Sequence, residues 1–386
     1  MTATRLTFPA DSAFQRDLRA RVDAYFAENR LSKTATPAMW LKSVFWLGLA
    51  FGSLFTAQYA PLPVPLVWLL WALAGAGFAG VGFNVSHDAI HGATSTDKRV
   101  NDLVAWTFDA IGAASSTWRI NHNLLHHTYT NVPTTDTDIE PGPALRFQPH
   151  ADHYPWQRVQ AFYAWVLYAL TSALWVYHKD IQQALRRHPR TGERTSAREW
   201  AKIFVGKAMH VGIFVALPLR FSHHSVATLI VGYALFHAVA GFMLAVVFQL
   251  AHVVEGVRYF RPDAEGRFPR GWMEHELLTT ANFGRSKLCT FITGGLDHQI
   301  EHHLFPLICH VHYPALSPIV AQCAKDHGLP YLHSGSFLQA VASHARMLHR
   351  LGNAGDVEAI AAPVARDAVG VANPPSLAPL GLAASA

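Results

Sequence analysis

Apolar residues in this chain fall into long uncharged runs, and the charged residues cluster between them. Ser43 to Ala57 carries no charge. After Pro61, Pro63 and Pro65, a second run from Leu66 to Val85 is long enough to cross about 30 Å of hydrocarbon. Another pair follows: Ile203 to Leu219, interrupted by Lys207 and Pro218, and Val226 to Ala251, the cleanest run of all. The pattern predicts an all-α integral membrane protein with four spans, at 43–59, 64–86, 203–219 and 226–251, arranged as two transmembrane helical hairpins. A fifth apolar stretch, Val159 to Tyr177, has Trp156, Tyr163, Trp165, Tyr168, Trp175 and Tyr177 in or beside it. That aromatic density belongs at headgroup depth and predicts an interfacial helix over 159–177.

Ahead of the first span, Phe14, Leu18, Val22 and Phe26 recur every four residues, which predicts an amphipathic helix lying on a surface. The chain thus divides into an N-terminal cytosolic segment, 1–38, a membrane domain, 39–351, and a tail, 352–386, rich in Ala, Pro and Gly without periodicity and expected to be disordered. Residues Met1 to Asn29 contain charges and no apolar core, so they are no signal peptide, and insertion is left to the internal helices.

Charge fixes the orientation. Arg30, Lys33 and Lys42 precede the first hairpin and Lys98, Arg99 and Arg119 follow it; Arg186, Arg187, Arg190, Arg194, Arg198 and Lys202 precede the second, and Arg258, Arg261, Arg267 and Arg270 follow it. The turns within the hairpins hold only Arg220, so the positive-inside bias places both termini in the cytoplasm. The chain is 51% apolar and 15% charged, below the roughly 25% charge of soluble domains. Its net charge of +5 forms no Lys/Arg stripe interleaved with aromatics, which excludes nucleic acid as a partner. The three cysteines, Cys289, Cys309 and Cys323, form no Cys-x-x-Cys pair, so neither a disulfide framework nor a zinc–thiolate site is indicated.

Histidine changes the picture, at 24 residues. His87 and His91 stand at i and i+4, at the cytoplasmic end of the second span; His122, His126 and His127 stand at i, i+4 and i+5; and His302 and His303 follow Gln299 at i+3 and i+4. On a helix each set projects from one face. A surface or interfacial pair accounts for one such set, but three sets on one side of a membrane have no simple structural explanation. Neutral imidazole is a good ligand for iron, zinc or copper, and seven ligands exceed what one zinc ion takes, so two metals are expected. His252, at the end of the cleanest span, is the natural eighth. Asp88, Asp297 and Glu301 are candidates to orient ring N–H groups, as ligating histidines require. His298, His310 and His312 are expected beside the centre rather than in it. Asp136, Asp138 and Glu140 read as a solvated loop or an outer anchor.

The motifs HxxxH, HxxxHH and QxxHH, in this order, resemble the membrane fatty acid desaturase family, over roughly Val81 to Gly352. The likeness is sharpest at Gly294-Gly295-Leu296-Asp297-His298-Gln299-Ile300-Glu301-His302-His303-Leu304-Phe305-Pro306, where glutamine replaces the first histidine of the third motif, as in front-end desaturases. Asn121 to Asn131, His310 to Tyr313 and Gly328 to Tyr331 are similar to bacterial linoleoyl-CoA desaturase-like members. The resemblance implies four spans, with a cytosolic helical cap holding a di-iron centre. It makes His87, His91, His122, His126, His127, His302 and His303 iron ligands, maps the family's extra histidine onto His252, and leaves Gln299 as a ligand or a hydrogen-bonding neighbour. It implies two Fe ions and O2 as cofactors, a fatty acyl-CoA or acyl-lipid substrate in the bilayer, and a site on the cytoplasmic side of a bacterial inner membrane. Because no His-Pro-Gly-Gly haem motif is present, electrons are expected from a separate donor, ferredoxin or cytochrome b5 with its reductase.

The implied reaction inserts a cis double bond of delta-6 or delta-5 type. Trp118 and Arg119, just before the second motif, are candidates for lining the acyl path or contacting the headgroup. Two rivals use the same residues: a di-iron hydroxylase or ketolase, which leaves oxygen in its product, and a non-catalytic metal transporter or sensor, which would place ionisable groups in mid-span.

Overall fold

The computed structural model describes residues 6–189, 191–284 and 286–354. Helix α1 spans Ala13–Glu28, α2 Pro37–Tyr59, and α3 Val64–His91 with π turns at Gly82–Ser86. Next come α4, Lys98–Ala110, and α5, which begins at Ser115–Trp118 and continues as π turns over Arg119–His126. A bent pair, α6 (Pro155–Tyr168) and α7 (Thr171–Leu185), precedes α8 (Ala197–Phe221) and α9 (Val226–His252). The remaining helices are α10 (Trp272–Thr279), α11 (Lys287–Thr293), α12 (Gln299–Leu304), α13 (Tyr313–Asp326) and α14 (Phe337–Asn353). Two short strands, β1 (Asn282–Phe283) and β2 (His333–Ser334), pair in parallel, Asn282 opposite His333.

Among the described residues four helices, α2, α3, α8 and α9, are long and apolar enough to cross a membrane. Their outward faces carry Leu41, Val44, Leu69, Phe204 and Ile230, all exposed, as a lipid solvent permits. Their inward faces meet through small residues: Gly75 lies against the Phe236 backbone, Gly77 against Ala50, and Gly80 against the Trp46 ring. Thus α3 is held between α2 and α9, and the two helices end at His91 and His252, one in each of two histidine groups.

The stretch expected as one interfacial helix is instead two helices meeting at 71°, with Phe162 and Val166 exposed and Tyr168 buried. Helix α1 also departs from expectation. Ser12 caps it by accepting from the Gln15 N–H, but Phe14, Leu18, Val22 and Phe26 are buried against Leu304, Leu316 and Val320 of α12 and α13. The apolar stripe is real, and the chain itself covers it. Helix α14 runs to Asn353, past the start expected for the tail at Gly352, and residues 355–386 lie outside those described.

Two local devices aim the site. Gly294, at φ +66°, lets the loop between α11 and α12 lie on the π turns of α3, where a Cβ would stand 2.3 Å from the Phe83 carbonyl oxygen. Asn131, also left-handed at φ +57°, points its amide at the carbonyl oxygens of His252, Arg258 and Thr279, tying the loop after α5 to the end of α9. Gly294→Ala is expected to destabilise by about 1–3 kcal/mol, through overpacking and an unsuited φ. Gly48, where an added Cβ would meet nothing within 4 Å, tolerates alanine. Melting temperatures in detergent check this: a Gly294→Ala protein as stable as Gly48→Ala would contradict the close approach.

Candidate metal centre

Four imidazoles, His87 and His91 from the end of α3, His122 from α5 and His302 from α12, each offer a ring nitrogen within 4.8 Å of the others. Three more, His126 of α5, His252 at the end of α9 and His303 of α12, form a second such group. His127 lies between the groups: its ring centroid is 4.7 Å from that of His91, 4.5 Å from His302 and 4.3 Å from His303, and its Nε2 is 3.1 Å from Nε2 of His122. All eight are buried.

Local backbone geometry distributes them. Neighbours His302 and His303 leave α12 at different angles and enter different groups. In α5 the expected α-helical register is replaced by π turns, in which the His127 N–H bonds the His122 carbonyl oxygen at 3.0 Å. The wider turn admits three imidazoles where an α-helix aligns two.

The donor set fits a metal. Among these eight imidazoles seven buried ring nitrogens have no hydrogen-bond partner: both of His87, Nε2 of His91, His252, His302 and His303, and Nδ1 of His127. Each unmade bond of this kind costs about 1–3 kcal/mol, so such a concentration needs an electron acceptor to which the lone pairs are given. On four of the eight rings Nδ1 is anchored by protein. His126 Nδ1 meets Asp136 at 3.0 Å, His303 Nδ1 meets Glu276 at 2.8 Å, His302 Nδ1 meets the Tyr313 hydroxyl at 3.2 Å, and His252 Nδ1 meets the Thr279 carbonyl oxygen at 3.4 Å. Nδ1 outward and Nε2 inward is the tautomer a ligand needs. Burial first, then neighbouring histidines, hold His122, His127, His302 and His303 well below the usual imidazole range, in the neutral ligating form. His126 is the exception. Burial opposes its charge, but the Asp136 carboxylate outweighs burial and raises it to about 9.

Residues 63–335 match the fatty acid desaturase family. This chain belongs to the fatty acid desaturase family. The desaturase is 34% identical to an sn-1 linoleoyl-lipid 6-desaturase of Synechocystis sp. over 92% of its own length and 99% of that protein. It is 30% identical to an sn-1 linoleoyl-lipid 6-desaturase of Arthrospira platensis, over 93% and 98%. An acyl-lipid (8-3)-desaturase of Physcomitrium patens is 33% identical over 87% of this chain and 71% of that one. The protein is therefore an enzyme, an acyl desaturase, with a metal site among its histidines and four apolar helices that make it a membrane protein.

The other candidates from the sequence separate clearly in the desaturase. Trp118 stacks on His122 with centroids 4.0 Å apart and faces His87 and His91, so it walls the four-histidine group. Arg119 turns to Asp102 at 3.0 Å instead. Asp88 lies 3.8 Å from His87 Nδ1 and is bound by His310 and the Cys309 thiol. Asp297 accepts from Thr290 and Thr293, and Glu301 from Asn282 and the Tyr331 hydroxyl, so both brace α12 and neither meets a clustered imidazole. His298 stands between those two carboxylates, and Gln299 is buried at the start of α12. From the sequence Asp136 reads only as a solvated loop or an outer anchor, Tyr313 enters only as part of the His310 to Tyr313 likeness with no role, and Glu276 passes unnoticed, because it lies far in the chain from His303 and carries no motif.

Because His126 is raised above its unfolded value near 6.5, its pairing with Asp136 stabilises the metal-free protein fully below that pH and is lost as pH rises through about 9. Chelator-treated protein should therefore melt at falling temperature across this window, and Asp136→Asn should flatten the fall. Parallel curves for the two proteins would contradict the pairing.

Proposed function

We propose that the protein is a front-end acyl-lipid desaturase with two iron ions, one held by His87, His91, His122 and His302, the other by His126, His252 and His303, with His127 between them. The observation that carries this is the pair of buried imidazole groups in which His87, His91 and His302 on one side and His252 and His303 on the other have inward nitrogens without a protein partner. When bound, two iron ions and O2 supply the oxidant that removes two hydrogens from adjacent methylenes, the oxygen leaving as water. The chain's own residues do the rest. The imidazoles hold neutral lone pairs inward, Asp136, Glu276 and Tyr313 fix their tautomers, and Trp118 closes the four-histidine side against water.

Relatives whose names specify linoleoyl-lipid or acyl-lipid substrates, together with Gln299 at the head of the third motif, support front-end chemistry of delta-6 or delta-5 type on a lipid-bound acyl chain rather than a CoA thioester. Two helical hairpins, α2 with α3 and α8 with α9, carry a helical cap on the cytoplasmic side of a bacterial inner membrane, as the basic flanking segments favour. Residues 39–351 form the catalytic membrane domain, with α1 packed against it. Electrons arrive from a separate ferredoxin or cytochrome b5 with its reductase. Arg119 is a candidate for headgroup contact at the edge of the site, and Gln299 stands as an iron neighbour on α12.

His126→Ala is expected to lower desaturation by more than about 100-fold, the upper range for losing even an outer partner, with insertion and folding intact. In a host fed linoleate and labelled oxygen, mass spectrometry should find a new cis double bond between the existing one and the carboxyl end, and no label in the product. Full activity in His126→Ala, or an oxygenated product, would overturn the reading.

A further inference from the structure

Glu276 is fully buried on α10, far in sequence from every histidine motif. Its Oε2 accepts from His303 Nδ1 at 2.8 Å and lies 2.6 Å from Thr130 Oγ. Thr130 Oγ is also 2.6 Å from the His126 carbonyl oxygen and 3.2 Å from His303 Nδ1. A hydroxyl has one proton to give, so Thr130 shares it between two acceptors, the Glu276 carboxylate and the His126 carbonyl oxygen. The chain of contacts runs from the backbone of the second motif, through Thr130 and Glu276, to the ring of the third. His303 Nε2 at the far side of that ring has no partner and faces His126 and His252.

The four-histidine group has no such partner. The Tyr313 hydroxyl meets His302 at 3.2 Å, while Asp138 stands 3.7 Å from His122 and Asp88 3.8 Å from His87, beyond hydrogen-bond reach. In the three-histidine group, by contrast, two of the three imidazoles are each backed by a buried carboxyl group, His126 by Asp136 and His303 by Glu276.

We propose that Glu276, seated on Thr130, is a positioning residue serving one metal position only, the one facing His126, His252 and His303. The two positions are thereby inequivalent, and the site with fewer imidazoles depends on its outer carboxyl partners. This rests on the two-iron reading above. A ligating imidazole that loses its outer acceptor is freed in tautomer and ring angle, at a cost of about 10–100-fold in metal affinity.

The test is titration of detergent-solubilised, full-length protein with ferrous iron, reading metal per chain after dialysis and the iron environments by Mössbauer spectroscopy. Wild type should take two irons. Glu276→Leu should keep one at wild-type affinity and bind the other about 10–100-fold more weakly, with one Mössbauer component depleted. Glu276→Gln, whose amide oxygen can accept from both His303 and Thr130 as Oε2 does, should retain both. Thr130→Val, nearly isosteric, should weaken the same equivalent and decides the matter if Glu276→Leu does not fold. Variants that bind both irons as wild type does, or that weaken both alike at an unchanged melting temperature, would overturn the proposal. A wild type that takes fewer than two irons would overturn the two-metal reading itself, before any substitution is made.

Discussion

Unpaired imidazole nitrogens buried away from water are the constraint on which the rest of this structure depends. Seven of them lie within one region, and a chain that merely folded would have no reason to bear the cost of so many unmade hydrogen bonds. Given an electron acceptor at each group, the same arrangement becomes stabilising, and metal binding becomes part of folding. On four of the rings, His126, His303, His302 and His252, the outward nitrogen is already held by Asp136, Glu276, Tyr313 and the Thr279 carbonyl, so those rings cannot turn to relieve the inward one.

Around that centre the scaffold has one task, to bring helix ends together. Helix α3 is clasped by α2 and α9 through glycine contacts that let backbones approach, and it ends at His87 and His91 while α9 ends at His252, one in each imidazole group. The loop at Gly294 lies on the π turns of α3 and so fixes where α12 begins. Asn131 ties the end of the second motif to the carbonyl oxygens around His252. Two of the four π segments among the described residues stand where the imidazoles are densest, in α3 just before His87 and in α5 through His122 and His126. A wider turn at a functional site is a recurrent device for aiming side chains that an α-helix would leave misaligned.

Much of this was legible in the chain. The four spans follow from uninterrupted apolar runs, whose signal is a sum over many residues and survives local irregularity, and their ends fall within a few residues of expectation except where charged or capped turns extend the helices at α2 and α8. The histidine motifs were legible because repetition at helical spacing is rare. What the sequence did not disclose is whatever depends on contacts between distant segments. The stripe of α1 has the same period whether it meets lipid or α13, and nothing in Trp272 to Thr279 marks Glu276 as facing His303. Asp88, Asp297 and Glu301 looked equivalent as neighbours of histidines, yet two of them brace α12 and one is bound by His310, because adjacency in sequence places side chains on different faces of a helix.

The central claim is that two metal ions occupy two distinct imidazole groups. Anomalous diffraction at the iron edge, from crystals of protein purified with its native metal, tests this most directly. The account predicts two peaks, one among His87, His91, His122 and His302 and one among His126, His252 and His303. A single peak, or a peak at Asp88, Cys309 and His310 with none among the eight histidines, would contradict it.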